Sequence, residues 1–161
     1  MTELSLCGDL LVKHKLSVAF AESATAGRLA SEFSLLPDAG KFLKGGIVCY
    51  DACLKQDILK VPEDLIEKYT PESAEVTLAL ARGLHHIINA DLYIAVTGLT
   101  APGGSEGPDK PVGTIFVAVV DGNQQVLCNS KTVLDGSAAE IVLQTVGYTA
   151  RLLNLYLLSI P

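Results

Sequence analysis

The stretch that decides the fold is Val18-Ala19-Phe20-Ala21-Glu22-Ser23-Ala24-Thr25-Ala26-Gly27. Its apolar start predicts a buried strand, and the amphipathic segment from Arg28 to Leu36 predicts a helix directly after it. Ligand sites of open α/β sheets lie outside the carboxyl ends of the strands. We therefore expect a site at the turn between this strand and this helix.

Ser23 lies at that turn and allows three interpretations. The partial positive charge and free N–H groups of a helix start suit a nucleophilic serine, or a hydroxyl-and-amide cradle for a phosphate. The third interpretation is a plain helix cap, a position at which serine and threonine are preferred, and Thr25 could fill it equally well. Taken alone, the stretch favours the cap.

Helices and strands alternate along the rest of the chain. Apolar runs predict the strands, and Asp121-Gly122-Asn123 between the last two predicts a hairpin. The pattern predicts a three-layer α/β/α sandwich with a mixed sheet, formed by a single domain over residues 1–161. The expected strands are 16–21, 47–50, 90–96, 111–120 and 126–133, and the main expected helices are 2–14, 25–36, 70–88 and 137–158.

Composition narrows the classes of partner. The chain has 161 residues, 49% of them hydrophobic, and a formal net charge of −6. That charge argues against general binding to nucleic acid or to an anionic membrane. The start of the chain lacks a basic region followed by a long apolar core, and no apolar run is long enough to cross a bilayer, so we expect a cytoplasmic protein.

The cysteines and histidines show no metal-ligand spacing. His85 and His86 are adjacent rather than four residues apart on a helix, and the cysteines form no CxxC pair. We therefore expect free thiols and no metal site. The cysteines are Cys7, Cys49, Cys53 and Cys128.

A serine nucleophile needs a base, and no histidine lies in a motif that would supply one. Lys55, just beyond the second strand, is the best-placed lysine, because a desolvated lysine has a lowered pKa and can take the serine proton. The alternative is an ordinary solvated helix lysine. Tyr50 is either a core aromatic or a hydroxyl aimed into the site. Thr97 and Gly98 form either an anion-binding backbone or a simple glycine turn.

Four blocks of sequence resemble one family. They are Ala21-Glu22-Ser23-Ala24-Thr25-Ala26-Gly27, then Gly45-Gly46-Ile47-Val48-Cys49-Tyr50 with Lys55, then Val96-Thr97-Gly98 with Pro102-Gly103-Gly104, and finally Lys110-Pro111-Val112-Gly113-Thr114. In this order and spacing they resemble the CinA C-terminal domain family, whose stand-alone members include nicotinamide-nucleotide amidases of the PncC type.

The resemblance implies a deamidase that converts nicotinamide mononucleotide to nicotinate mononucleotide and ammonia without a metal or organic cofactor. It implies Ser23 as the nucleophile, Lys55 as its assistant, and Tyr50 and Thr97 as supporting catalytic residues. It also implies a homo-oligomer with a small-molecule nucleotide as substrate. The substrate-binding positions that we expect from it are Ala24, Thr25, Gly27, Gly45, Gly46, Gly98, Gly103 and Gly104.

The chain departs from the family pattern at several positions. Ala24, Ala26 and Ala101 replace a cysteine and two glycines, and Ala138 and Val142 stand where the family usually has arginines. Loss of an arginine fork removes a bidentate charged contact to a phosphate. The alternative function is therefore a weakened or inactive paralogue that binds a nucleotide, a small anion or a protein partner.

Overall fold

A computed structural model describes residues 2–161. The strands are β1 Val18–Glu22, β2 Leu43–Val48, β3 Leu92–Gly98, β4 Thr114–Asp121 and β5 Val126–Val133. The helices are α1 Glu3–His14, α2 Arg28–Ser34, α3 Ala39–Phe42, α4 Ala52–Asp57, α5 Glu63–Tyr69, α6 Ala74–Leu84 and α7 Ala138–Leu157.

The strands form one mixed sheet in the order β2-β1-β3-β4-β5. β1 pairs in parallel with both β2 and β3, whereas β4 and β5 add an antiparallel hairpin at one side. The chain leaves β1 towards β2 on one side and later enters β3 on the other. The carboxyl end of β1 is therefore a switch point, where open α/β sheets bind their ligands.

Apolar side chains fill a core on each face of the sheet. Phe20 and Phe33 belong to the core under α1, α2, α3 and α7. Ala19, Ala21 and Leu80 belong to the core under α5 and α6. Successive residues of β1 point to opposite faces, which explains why the strand is apolar throughout. The predicted three-layer α/β/α sandwich with a mixed sheet is confirmed.

The paired glycines lie inside β2 rather than before it. The pairing register shifts between Val18 and Ala19, so that Leu43 and Gly45 face consecutive residues of β1. A Cβ on Gly46 would lie 2.8 Å from the carbonyl oxygen of Phe20. Because real Cβ atoms do not approach that closely, glycine is needed where the two backbones meet. β2 therefore begins at Leu43, four residues earlier than predicted.

Capping residues lie outside the helices they cap, so α1 and α7 begin one residue later than predicted. Two helices are shorter than predicted: α2 spans Arg28–Ser34 instead of 25–36, and α6 spans Ala74–Leu84 instead of 70–88. Thr2, Ser73 and Ser137 accept hydrogen bonds from the first turns of α1, α6 and α7. None of the helices described for residues 2–161 has the length and apolar character required to cross a membrane.

Candidate active site

The carboxylate of Glu22, the last residue of β1, shapes the loop that contains Ser23. Glu22 is buried, and its two oxygens accept hydrogen bonds from four donors. These are the Thr25 hydroxyl at 2.6 Å and the N–H groups of Gly27, Leu29 and Ala30 at 3.0, 2.9 and 2.8 Å. The carboxylate thus satisfies the free amides of α2 and complements the helix dipole. The helix-cap interpretation of Ser23 and Thr25 is wrong.

Glu22 caps the helix, so the hydroxyl of Ser23 is not needed for that purpose. It contacts Lys55 instead. The Nζ of Lys55 lies 3.0 Å from the Oγ of Ser23. The same Nζ donates to the carbonyl oxygens of Cys49 at 2.8 Å and of Tyr50 at 3.4 Å. The two residues expected to react are thus in direct hydrogen-bond contact, although they are 32 positions apart in sequence.

Lys55 is 1% exposed, so the interpretation as a solvated helix lysine is wrong. Burial lowers the pKa of Lys55 below its ordinary value, and the nearby Cys49, Glu72 and Asp51 oppose that shift only in part. A neutral lysine has two N–H donors and one lone pair. The ammonium form donates to Ser23 Oγ and to the two carbonyls; once it loses a proton, the two remaining donors can stay on the carbonyls and the lone pair can accept from the Ser23 hydroxyl. This arrangement suits the lysine to act as a proton acceptor.

A cavity of about 240 Å³ opens above Ser23. It lies at the carboxyl ends of β1 and β3, as expected of a switch point. The loop after β3 forms most of its wall. The lining residues are Ser23, Ala24, Tyr50, Glu72, Gly98, Leu99, Thr100, Ala101, Pro102, Gly103 and Gly104.

Tyr50 is exposed at the cavity, whereas the side chain of Thr97 is buried between β3 and α6. Tyr50 is 66% exposed and lines the cavity, so its interpretation as a core aromatic is wrong. Thr97 is fully buried, and its hydroxyl lies 2.8 Å from that of Thr77 on α6. The side chain of Thr97 therefore braces β3 against α6 and does not line the cavity.

The predicted substrate-binding positions divide into two groups. Ala24, Gly98, Gly103 and Gly104 line the cavity. The other four do not line it: Thr25 and Gly27 donate to Glu22, and Gly45 and Gly46 lie in β2.

Sequence reasoning missed a polar network beside the cavity. The Nζ of Lys110 donates to Thr70 Oγ1 at 2.6 Å, to Ser105 Oγ at 2.7 Å and to the carbonyl of Glu72 at 2.9 Å. The Ser105 hydroxyl in turn donates to the carboxylate of Glu72. This network holds the loop after β3 against the start of α6. Its one signal in the sequence was Lys110 in the fourth family-like block.

The departures from the family pattern differ in their structural consequences. Ala26 has a φ of +47°, a left-handed conformation that favours glycine, whereas Ala101 is not among the residues with positive φ. Ala138 opens α7 behind the cap Ser137, and Val142 follows one turn later. The first turn of α7 therefore carries Glu140 as its charged group and no arginine.

Together, the fold and the site define an α/β protein with a serine–lysine pair at the carboxyl end of a mixed sheet. The family model described as the CinA C-terminal domain matches residues 2–157, and the chain belongs to that family.

Relatives and solved structures agree with this membership. The CinA-like protein of Sulfurihydrogenibium sp. (strain YO3AOP1) is 34% identical over 152 residues, which cover 94% of this chain and 37% of that protein. The CinA-like protein of Fervidobacterium nodosum is 40% identical over 116 residues, which cover 71% of this chain and 28% of that protein. The chain thus spans roughly a third of the length of the curated relatives it matches.

Among solved structures, the CinA superfamily protein from Escherichia coli is 29% identical, with a TM-score of 0.83, and the match covers 97% of this chain and 88% of that one. The competence damage-inducible protein A of Klebsiella pneumoniae subsp. pneumoniae MGH 78578 is 24% identical with a TM-score of 0.90 over both full chains, and shows the shared fold.

Proposed function

We propose that the chain is an amidohydrolase that deamidates nicotinamide mononucleotide to nicotinate mononucleotide and ammonia. The observation that carries this proposal is the 3.0 Å contact between Lys55 Nζ and Ser23 Oγ at the floor of the cavity. Such a pair is the minimum that serine-based acyl transfer requires, namely a nucleophile and a base within hydrogen-bond distance.

In the first half of the reaction, Ser23 Oγ bonds to the carboxamide carbon while its proton passes to the neutral amine of Lys55. The carbonyl oxygen becomes an oxyanion. When the carbonyl re-forms, the C–N bond breaks, and the proton on Lys55 moves to the departing nitrogen to give ammonia. In the second half, water attacks the resulting ester, a proton passes through Lys55, and the Ser23 hydroxyl is restored as the carboxylic acid leaves.

Backbone amides beside Ser23 are our proposed donors to the oxyanion. Within residues 2–161, no acceptor engages the N–H of Ala24 or of Thr25, which directly follow the nucleophile. Ala24 also lines the cavity. Removing one such donor typically costs about a hundredfold or more in rate.

The direct test measures ammonia released from nicotinamide mononucleotide by the purified chain and by Ser23→Ala and Lys55→Met. We expect both variants to lose at least about a thousandfold in kcat, as when a nucleophile or its base is removed from other hydrolases. Ser34→Ala is the matched control, because Ser34 is exposed and bonds to the carbonyl of Ser31 in α2. It should keep full activity.

Two results would count against the proposal. Undiminished ammonia release by Ser23→Ala, with an unchanged melting temperature, would remove Ser23 as the nucleophile. Calorimetric binding of the nucleotide by the unaltered chain without any ammonia would favour the binding paralogue instead.

A further inference from the structure

The charged residues that line the cavity influence which substrate charge can be accommodated there. Glu72 is the acidic residue among those lining the cavity, and no lysine, arginine or histidine lines it within residues 2–161. Glu72 lies close enough to Lys55 to raise its pKa against the effect of burial. A substrate that reaches Ser23 therefore passes or contacts a carboxylate.

Two lysines that contact cavity-lining residues have few N–H donors free for an anion. Lys55 contacts Ser23 and two backbone carbonyls, and Lys110 donates to Thr70, to Ser105 and to the carbonyl of Glu72. An ammonium group has three N–H donors, so Lys110 has none left for a ligand. Among the charged groups of residues 2–161 at the cavity wall, the Glu72 carboxylate is therefore the one that can still accept from a ligand, through Oε1.

The orientation of Glu72 is fixed by its neighbours. Its Oε2 accepts the hydroxyl hydrogen of Ser105, which Lys110 holds in turn, while its Oε1 accepts no hydrogen bond from residues 2–161. Tyr50, an exposed aromatic residue, lines the same cavity. A carboxylate and an aromatic face both attract a flat organic cation.

From these contacts we infer that Glu72 is a specificity residue, which favours carboxamides whose ring carries a positive charge over neutral carboxamides of the same shape. The inference rests on the proposed function for its reaction but concerns binding, which can be measured separately. Glu72 acts here as a specificity residue for the ring that carries the carboxamide, and it takes no part in the covalent steps.

The test compares two amides of nearly the same shape. 1-Methylnicotinamide carries the ring charge, and 3-methylbenzamide is its neutral counterpart. Dissociation constants are measured by NMR titration with the full chain, and ammonia release is measured in parallel. We expect the cation to bind about tenfold more tightly, the effect of a charge pair at a partly desolvated site.

Glu72→Gln should weaken binding of the cation alone, so that the two dissociation constants come to within about twofold of each other. Glutamine keeps an acceptor for Ser105, so the fold should persist. Glu75→Gln is the matched control, because Glu75 is exposed on the first turn of α6 and lines no part of this cavity. It changes the net charge equally and should preserve the preference.

Equal affinity of the unaltered chain for the two amides would overturn the inference, and so would a preference that survives in Glu72→Gln. Charge-selective binding without ammonia from any carboxamide would overturn the proposed function and leave the selectivity standing. The two failures are therefore distinguishable.

Discussion

Lys55 is the residue at which burial and chemistry conflict most directly. A buried ammonium loses solvation, and the surrounding carbonyls return only part of that loss. A base in a serine–lysine pair must be neutral, so the same burial that destabilises the charged form prepares the reactive one. The cost and the benefit can be separated by measuring stability against pH.

We predict that the free energy of unfolding rises with pH in the unaltered chain relative to Lys55→Met. The pKa of Lys55 is lowered in the folded protein. Between that pKa and about 10.4, the unfolded chain still holds the proton that the native side chain has lost. Because the unfolded state binds more protons, native stability increases with pH, by up to about 1.4 kcal/mol per pH unit in this window.

Urea unfolding of both proteins at successive pH values provides the measurement. Lys55→Met also loses hydrogen bonds, but that loss shifts its free energy of unfolding by the same amount at every pH. The pKa effect is therefore measured as the change with pH in the difference between the free energies of unfolding of the two proteins. Lys60→Met replaces an exposed lysine, and its free energy of unfolding should change with pH in the same way as that of the unaltered chain. Parallel stability curves for the unaltered chain and Lys55→Met would show that Lys55 keeps an ordinary pKa.

Individual residues differed in how far sequence could predict them. Ser23 and Lys55 stand in blocks that resemble a family, and the structure brings them into contact. Glu72 had no such block, since only the fold brings the start of α6 to the tip of β1. Tyr50 was ambiguous because an aromatic at a strand end can face either the core or a cleft, and spacing does not decide between them.

Among the elements, α2 depends on a contact that its own sequence does not contain. Its first residues follow Gly27, which has no side chain with which to cap them. The carboxylate of Glu22 performs that function from the end of β1, five to eight residues upstream. A buried cap of this kind fixes the direction in which the helix leaves the strand, and hence the position of Ser23.

We predict that Glu22→Gln lowers the free energy of unfolding by about 3 kcal/mol, because an amide group cannot accept at both ends and leaves buried N–H donors without a partner. Urea unfolding measures the change. Glu32→Gln is the control, since it removes a carboxylate from the same helix that pairs with Arg28 near the surface. That pair should contribute at most about 0.5 kcal/mol. Equal losses in the two variants would show that the Glu22 contacts are dispensable.

Elements with strong patterns were predicted well, and the hairpin partner β5 has the predicted bounds of Val126–Val133. The start of β2 was predicted wrongly, because Lys44, Gly45 and Gly46 are residue types that strands usually avoid. Their place in the sheet follows from the close approach of Phe20, a tertiary contact with no local signature.

At the scale of the whole molecule, charge sets the approach of a substrate. The chain carries a formal net charge of −6, and the cavity adds the carboxylate of Glu72 near its nucleophile. The first turn of α7 carries Glu140 as its charged group and adds no positive charge. Because no lysine, arginine or histidine of residues 2–161 lines the cavity, a substrate with a phosphate meets repulsion there without a compensating cation.

We accordingly predict that phosphate gives no advantage to the substrate. The value of kcat/KM for nicotinamide mononucleotide should not exceed that for its dephosphorylated riboside at low salt. Repulsion between like charges is screened as salt rises, so the ratio of the two values should increase towards unity between about 0.01 and 0.2 M ionic strength. Ammonia release from both compounds, measured over that range, supplies the ratio. A strong preference for the nucleotide that weakens with salt would instead reveal a cationic phosphate site and contradict the predicted repulsion.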